Sequence, residues 1–162
     1  ALGRPLSVKV KDTDKGMRKF VAELGLLDGL RAEAGFTGAR RHGSGGGAPT
    51  MPELAAIHEF GAPGANIPAR PFMRRAADAH QHEWTEVARK EAALMVGAKA
   101  GQTAQVVARA VAVRMERDLK LSITSNTPPP LRPSTIERKG SSKTLIDTGA
   151  LRDAIEHRVR RA

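Results

Sequence analysis

The sequence has 162 residues and a formal net charge of +10, from 27 Lys and Arg against 17 Asp and Glu. Leu, Ile, Val and Phe supply only 33 residues, which argues against a large closed enzyme core. Because cysteine is absent, a disulfide scaffold, a thiolate zinc site, an iron–sulfur cluster and a cysteine nucleophile are excluded. The length predicts one domain over residues 1–162, and the patterning predicts neither a membrane helix nor a secretory signal, so we expect cytosolic synthesis.

The excess of positive charge is open to two interpretations. Arg outnumbers Lys 18 to 9, and guanidinium groups pair well with phosphates, which would suit nucleic-acid binding. The basic residues are, however, spread along the chain, and aromatic residues make up only 3% of it. We therefore favour a solvated or subunit-contacting surface over dedicated DNA binding.

The N-terminal third contains two predicted strands. Apolar and polar residues alternate over residues 6–10 and again over 29–37, which is the period-two pattern of a half-buried strand. Between them, Asp12 or Thr13 is placed to cap a short helix that ends near residue 24. Residues 38–49 have many glycines and no hydrophobic period, so we expect a flexible loop there.

A short helix is predicted over residues 51–60. Thr50 and Glu53 have the spacing of a capping box, in which each side chain satisfies a backbone N–H of the first turn. Three prolines between residues 61 and 71 then fix an extended crossing, because each restricts its own φ and biases the residue before it away from the α region.

Two long helices are predicted next. Apolar residues recur at helical spacing over residues 72–98 and again from residue 103 to about residue 124, with glycines between the two segments. This arrangement favours an antiparallel hairpin. Leu119, Leu121 and Ile123 also alternate, so an extended last turn is an alternative, but we favour a helix.

The C-terminal region contains two more short helices and a strand. Ser134 and Glu137 have a second capping-box spacing, and Asp147 or Thr148 is placed to cap a last helix. Alternation over residues 155–159 predicts a closing strand. The order of elements predicts an α+β fold, with a small mixed or antiparallel sheet of three to four strands, a long antiparallel helical hairpin and short helices.

No group of residues has the spacing of a catalytic or metal site. His80 and His82 would point about 200° apart on a helix, and no H-E-x-x-H sequence is present. The glycine-rich loop lacks the Gly-Lys-Ser/Thr ending of a phosphate-binding loop. Asp147 and Asp153 are explained more simply as a helix cap and a surface carboxylate than as a catalytic pair. We therefore predict a non-enzymatic protein with no catalytic residue, no cofactor and no metal ion.

Two stretches of the sequence resemble a known family. The first, AAIHEFGAPGANIPARPFMRRA at residues 55–76, has a helix ending in E-F-G followed by I-P-x-R-P-F. The second, TPPPLRPSTIERKGSSKTLIDTGALRDAI at residues 127–155, has P-L-x-P-x-T-I-x-R-K-G followed by L-I-D-T-G-x-L. Together these two signature stretches resemble those of the morphogenesis proteins that complete the tail and neck of long-tailed bacteriophages.

The resemblance implies a structural virion protein, assembled in the host cytoplasm, that forms a homo-oligomeric ring, six-fold in symmetry, at the tail end or neck. Its implied partners are further copies of itself, the tail-tube protein and a head connector or portal-associated protein, with no membrane involved. Arg40 and Arg41 are candidates for non-specific contact with DNA in transit. A basic, non-enzymatic DNA-binding protein is the alternative function, and an unrecognised hydrolase is a third, disfavoured hypothesis.

The resemblance and the proline geometry also single out candidate residues for the assembly interface. They are Glu59, Phe60, Arg70, Phe72, Arg74, Asp147, Thr148 and Leu151. For Phe72, a contact inside the subunit core is an equal alternative. Because prolines flank Arg70, we expect its direction to be set locally, and we expect Arg70→Ala to leave the subunit folded while impairing assembly.

Overall fold

The structure, a computed structural model, describes residues 27–38, 40–43, 47–95 and 102–161, and in addition positions 22 and 25. The strand predicted at residues 6–10 and most of the helix predicted before residue 24 lie outside the described residues. In chain order the elements are β1 (Leu30–Gly35), α1 (Met51–Phe60), α2 (Phe72–Ala93), α3 (Gln102–Thr124), α4 (Pro133–Lys139), α5 (Ala150–Asp153) and β2 (Glu156–Arg161).

The two strands form an antiparallel pair. Their register runs from Leu30 opposite Arg161 to Gly35 opposite Glu156, which confirms the strands predicted over residues 29–37 and 155–159. Helix α3 packs against both strands, and His157 of β2 is hydrogen-bonded to the carboxylate of Glu116 on α3. The fold is therefore α+β, with a sheet of two strands in the part of the chain described here.

Helices α2 and α3 form the predicted antiparallel hairpin. Near one end, the Ser122 hydroxyl donates to the carbonyl oxygen of Phe72 over 2.7 Å. Near the other, Met95 and Val107 share a small buried cluster. Helix α3 continues to Thr124, so the helical interpretation of its last turn is confirmed.

The predicted helix caps have different outcomes. The capping box of Thr50 and Glu53 is confirmed, with both reciprocal hydrogen bonds present. The second box is wrong: Arg132 occupies the N-cap of α4 and Pro133 starts the helix, because the fixed φ of proline suits the first helical position. Before α5, Gly149 takes the N-cap with φ +83°, so neither Asp147 nor Thr148 occupies it.

The main core lies where α2, α3 and α5 meet the sheet. Phe72 is completely buried at its centre, and its ring packs edge-on against Phe36 with centroids 6.2 Å apart. Buried neighbours include Leu119, Ile123 and Ile155. Small alanines at other core positions let the helices approach closely, which is how a sequence with few large apolar residues still closes a core.

Within the described residues, none of the helices combines the length and apolar character that a membrane crossing requires.

Candidate functional site

The two signature stretches, more than fifty residues apart in sequence, lie against each other in the fold. The Arg70 Nε donates to the carbonyl oxygen of Pro129 over 2.9 Å. The Nη2 of the same guanidinium lies 3.5 Å from the carbonyl oxygen of Pro130. A second link joins Arg132 to the side-chain oxygen of Asn66 over 3.3 Å. The resembling residues therefore form one continuous region of the subunit.

Glu59 has a structural task in this region. It is buried at the end of α1, and its two carboxylate oxygens accept hydrogen bonds from the backbone N–H groups of Met73 and Arg74, over 2.9 and 3.1 Å. These groups belong to the first turn of α2, whose N-cap residue, Pro71, has no polar side chain. Glu59 thus caps α2 from the preceding helix and places a negative charge at its positive end.

Gly61 allows the chain to turn sharply after α1. Its φ is +77°, and a Cβ there would lie 2.7 Å from the backbone nitrogen of Ala69. The turn is closed by paired backbone hydrogen bonds between Ala62 and Ile67. The E-F-G and I-P-x-R-P-F patterns of the first signature stretch therefore have a folding explanation: a cap, a turn, an internal arginine and a core phenylalanine.

Arg70 and Phe72 lie inside the subunit. Arg70 is only 5% exposed and Phe72 is completely buried, so for Phe72 the structure favours the core alternative. Arg70 is hydrogen-bonded to the proline-rich segment, and this internal role argues against the expectation that Arg70→Ala impairs assembly alone. Leu151 is likewise buried in the main core.

Phe60 is different, because its side chain is 69% exposed. It borders an apolar groove of about 560 Å³ that also contains Phe36, Met73, Trp84 and Met115. We call this the apolar groove. Two further interface candidates, Glu59 and the exposed Arg74, also line it.

A second depression lies on the other side of the first signature stretch, and we call it the basic cleft. It has a volume of about 540 Å³ and is lined by both stretches together. Its polar lining residues include His58, Arg70, Arg138, Lys139, Thr144, Asp147 and Thr148. Asp147 and Thr148, both exposed, thus join Arg70 at one site, and the Thr148 hydroxyl accepts from the backbone N–H of Ala150 over 3.3 Å.

The electrostatics of the basic cleft follow from burial among cations. Burial lowers the pKa of His58, and the charges of Arg70, Lys139 and His42 lower it further. Burial also lowers the pKa of Lys139, although Asp147 opposes this shift. Burial is the first cause of both shifts; neighbouring cations add to it at His58, whereas at Lys139 the attraction of Asp147 exceeds the repulsion of Arg70.

Four residues of the cleft were not among the candidates expected from the sequence: His58, Arg138, Lys139 and Thr144. The R-K pair was visible in the second signature stretch as the only adjacent basic pair there, but its meeting with α1 depends on the long-range contact made by Arg70. No local pattern could have indicated that meeting.

Arg40 and Arg41 lie apart from the hydrogen bonds that join the two stretches. Both are exposed, and a guanidinium nitrogen of Arg41 donates to the carbonyl oxygen of Ala48 over 2.7 Å. Arg41 also pairs with Thr50 as an isolated β-bridge. The ends of the loop predicted over residues 38–49 are therefore held together by the backbone, and contact with DNA stays a prediction.

Among the residues that the structure describes, one group of side chains has donor atoms close enough for a metal ion: His80, Glu83 and Asp118. Asp118, however, already accepts from the Trp84 indole over 2.9 Å and from Arg114 over 2.9 Å. Arg114 is also hydrogen-bonded to Glu83. The arginine supplies the positive charge that these carboxylates require, so the group is explained as a partly buried ion-pair network in which Asp118 is the buried member.

Comparison of the chain with known protein families, with curated proteins and with solved structures found no match.

Proposed function

We propose that this chain is a structural subunit of a ring at the tail end or neck of a long-tailed bacteriophage, completing the tail and joining it to the head connector. The observation that carries the proposal is the contact between the two signature stretches through Arg70 and Pro129. Each of the two stretches resembles the same family, and in the fold they form a single region. This is the arrangement expected if both stretches serve one function.

The apolar groove is the surface best suited to contacts between subunits. Phe60 is 69% exposed and borders a groove lined by Phe36, Met73, Trp84 and Met115, so its ring belongs to a contiguous apolar patch of the kind that marks interfaces. Aromatic side chains are among the most frequent anchors of protein interfaces. We therefore place Phe60 at the centre of the ring contact, with Arg74 at its rim.

This placement is tested by replacing Phe60 with serine and measuring particle mass by light scattering. Because Phe60 is exposed, Phe60→Ser should leave the chain folded, as judged by circular dichroism, while reducing the oligomer to smaller species. Leu94→Ser is the matched control, since Leu94 is 73% exposed but lies outside the groove. An oligomer that survives Phe60→Ser intact would contradict this placement.

DNA binding remains the alternative function, and one observation favours it. The alternating register places Arg31, Arg158 and Arg160 on the same face of the sheet. Glu33 partly neutralises this face, since it accepts from Arg158 over 2.6 Å and lies 3.8 Å from Arg160. A duplex affinity that falls steeply with salt would support this alternative.

A further inference from the structure

We propose that the basic cleft binds an acidic peptide segment of a partner protein, with the carboxylates of that segment held between Arg138 and Lys139. The inference goes beyond the ring function and does not depend on it, because it concerns the chemistry of one cleft in one subunit.

The first support is an excess of positive charge, because Asp147 is the one acid of the described lining and faces several cations. Arg70, Arg138 and Lys139 line the cleft, and within the described residues none of the three has a carboxylate at salt-bridge distance. Arg70 donates to the Pro129 carbonyl oxygen and Lys139 to that of Lys143, the latter over 2.6 Å. These acceptors are neutral, so the charges stay available to an anion.

The second support is a pair of polar atoms in the cleft lining that the described residues leave without a hydrogen-bond partner. They are the Thr144 hydroxyl oxygen and the His58 Nδ1. Thr144 is only 6% exposed, and a buried hydroxyl without a partner costs stability. A polar ligand, directly or through water, would complete these hydrogen bonds.

The third support distinguishes a peptide from DNA. The cleft is recessed and its lining is mixed, with Leu54, Ile67 and Leu131 beside the cations. Arg138 is exposed and Lys139 half-buried, so these two could contact either ligand, but a duplex backbone is normally contacted by exposed basic residues and Arg70 is 5% exposed. The buried arginine and the apolar walls favour a narrow peptide. An extended peptide in which acidic residues flank an apolar residue fits both the positive charge and the apolar walls of the cleft. Its negative charge also complements the net charge of +10 on the chain.

The test measures binding of labelled synthetic probes to the full chain. The probes are a peptide of alternating Glu and Gly with a central Leu, the same peptide with Gln for Glu, and a short DNA duplex. The cleft variant carries Arg138→Glu and Lys139→Glu. The control variant carries Arg89→Glu and Lys90→Glu, which make the same change of charge at an adjacent, exposed arginine and lysine of α2 outside the cleft. Thermal unfolding of each variant checks that it is folded.

We expect the Glu peptide to bind and the Gln peptide to bind at least about tenfold more weakly. The cleft variant should lose at least about tenfold in affinity, and the control variant no more than about twofold. Thr144→Val should weaken binding without lowering the melting temperature, because it removes a hydroxyl that lacks a partner.

Three results would overturn the proposal. The first is no detectable binding of the Glu peptide to the folded wild-type chain. The second is an equal loss of affinity in the cleft and control variants, which would indicate attraction by net charge alone. The third is a DNA duplex that binds more tightly than the peptide and whose binding is weakened by the cleft substitutions. That result would identify the cleft as a site for the phosphates of DNA.

Discussion

Arg70 shows how a residue singled out by its sequence context can serve the fold first. Its guanidinium joins the first signature stretch to the carbonyl oxygens of the proline-rich segment, and its backbone N–H donates to the carbonyl of His58 over 2.6 Å. The side chain therefore holds α1, the crossing and the second signature stretch in one arrangement.

We predict that Arg70→Ala lowers the free energy of unfolding by about 2 kcal/mol, because it removes charge-assisted hydrogen bonds to the carbonyl oxygens of Pro129 and Pro130 and truncates a buried side chain. Arg70→Lys, which keeps the charge but not the planar fork, should recover only part of this loss. Urea unfolding of both variants measures the effect. An Arg70→Ala variant as stable as the wild type would show that the link is unimportant.

His58 should make stability depend on pH. Burial and the nearby charges of Arg70, Lys139 and His42 hold the pKa of His58 below its ordinary value of 6.5. The unfolded chain therefore takes up this proton at a higher pH than the folded chain. The stability that neutral His58 contributes is fully present above pH 6.5. It is lost as the pH falls from 6.5 towards the lowered pKa of His58 in the folded chain.

Urea unfolding at about pH 7.5 and about pH 5.5 should therefore show lower stability at the acid value. His58→Gln should reduce the difference between the two pH values, because the neutral amide cannot take up the proton. An unchanged difference in His58→Gln would contradict this account and assign the effect to other groups.

At the scale of the element, the turn after α1 depends on Gly61. We predict that Gly61→Ala lowers the free energy of unfolding by about 1–3 kcal/mol, since the new Cβ would meet the Ala69 backbone and the positive φ is strained for alanine. Gly64→Ala is the matched control in the same turn, because a Cβ at Gly64 meets nothing within 4 Å. Thermal unfolding should separate the two, and equal melting temperatures would contradict the prediction.

The helices and strands were more predictable than the contacts between them. The limits of α1 and β1 and the helical hairpin follow from periodicity and from the Thr50 cap, which are properties of neighbouring residues. The cap of α2 was not predictable in this way. It comes from Glu59, fourteen residues before the N–H group of Met73, across a proline-rich crossing whose path depends on tertiary contacts.

In the whole molecule, the candidate site also depends on contacts between distant parts of the chain, which local sequence patterns do not predict. The sequence indicated both signature stretches and the residues Phe60, Asp147 and Thr148, which the structure places on the surface. It did not indicate the basic cleft, because the cleft exists only where the two stretches meet. It also gave Glu59 an interface role and left Phe72 between interface and core, whereas burial gives both of them roles in the fold of the chain.

The chain has few large apolar residues and an exposed Phe60. We therefore expect it to bury further apolar surface against neighbouring copies of itself in a ring. The most direct measurement is native mass spectrometry of the purified full chain, with electron micrographs of the same sample. The account predicts a single closed ring species of defined subunit number, six if the resemblance holds. A stable monomer at every concentration tested, also in the presence of tail-tube and connector proteins, would contradict it.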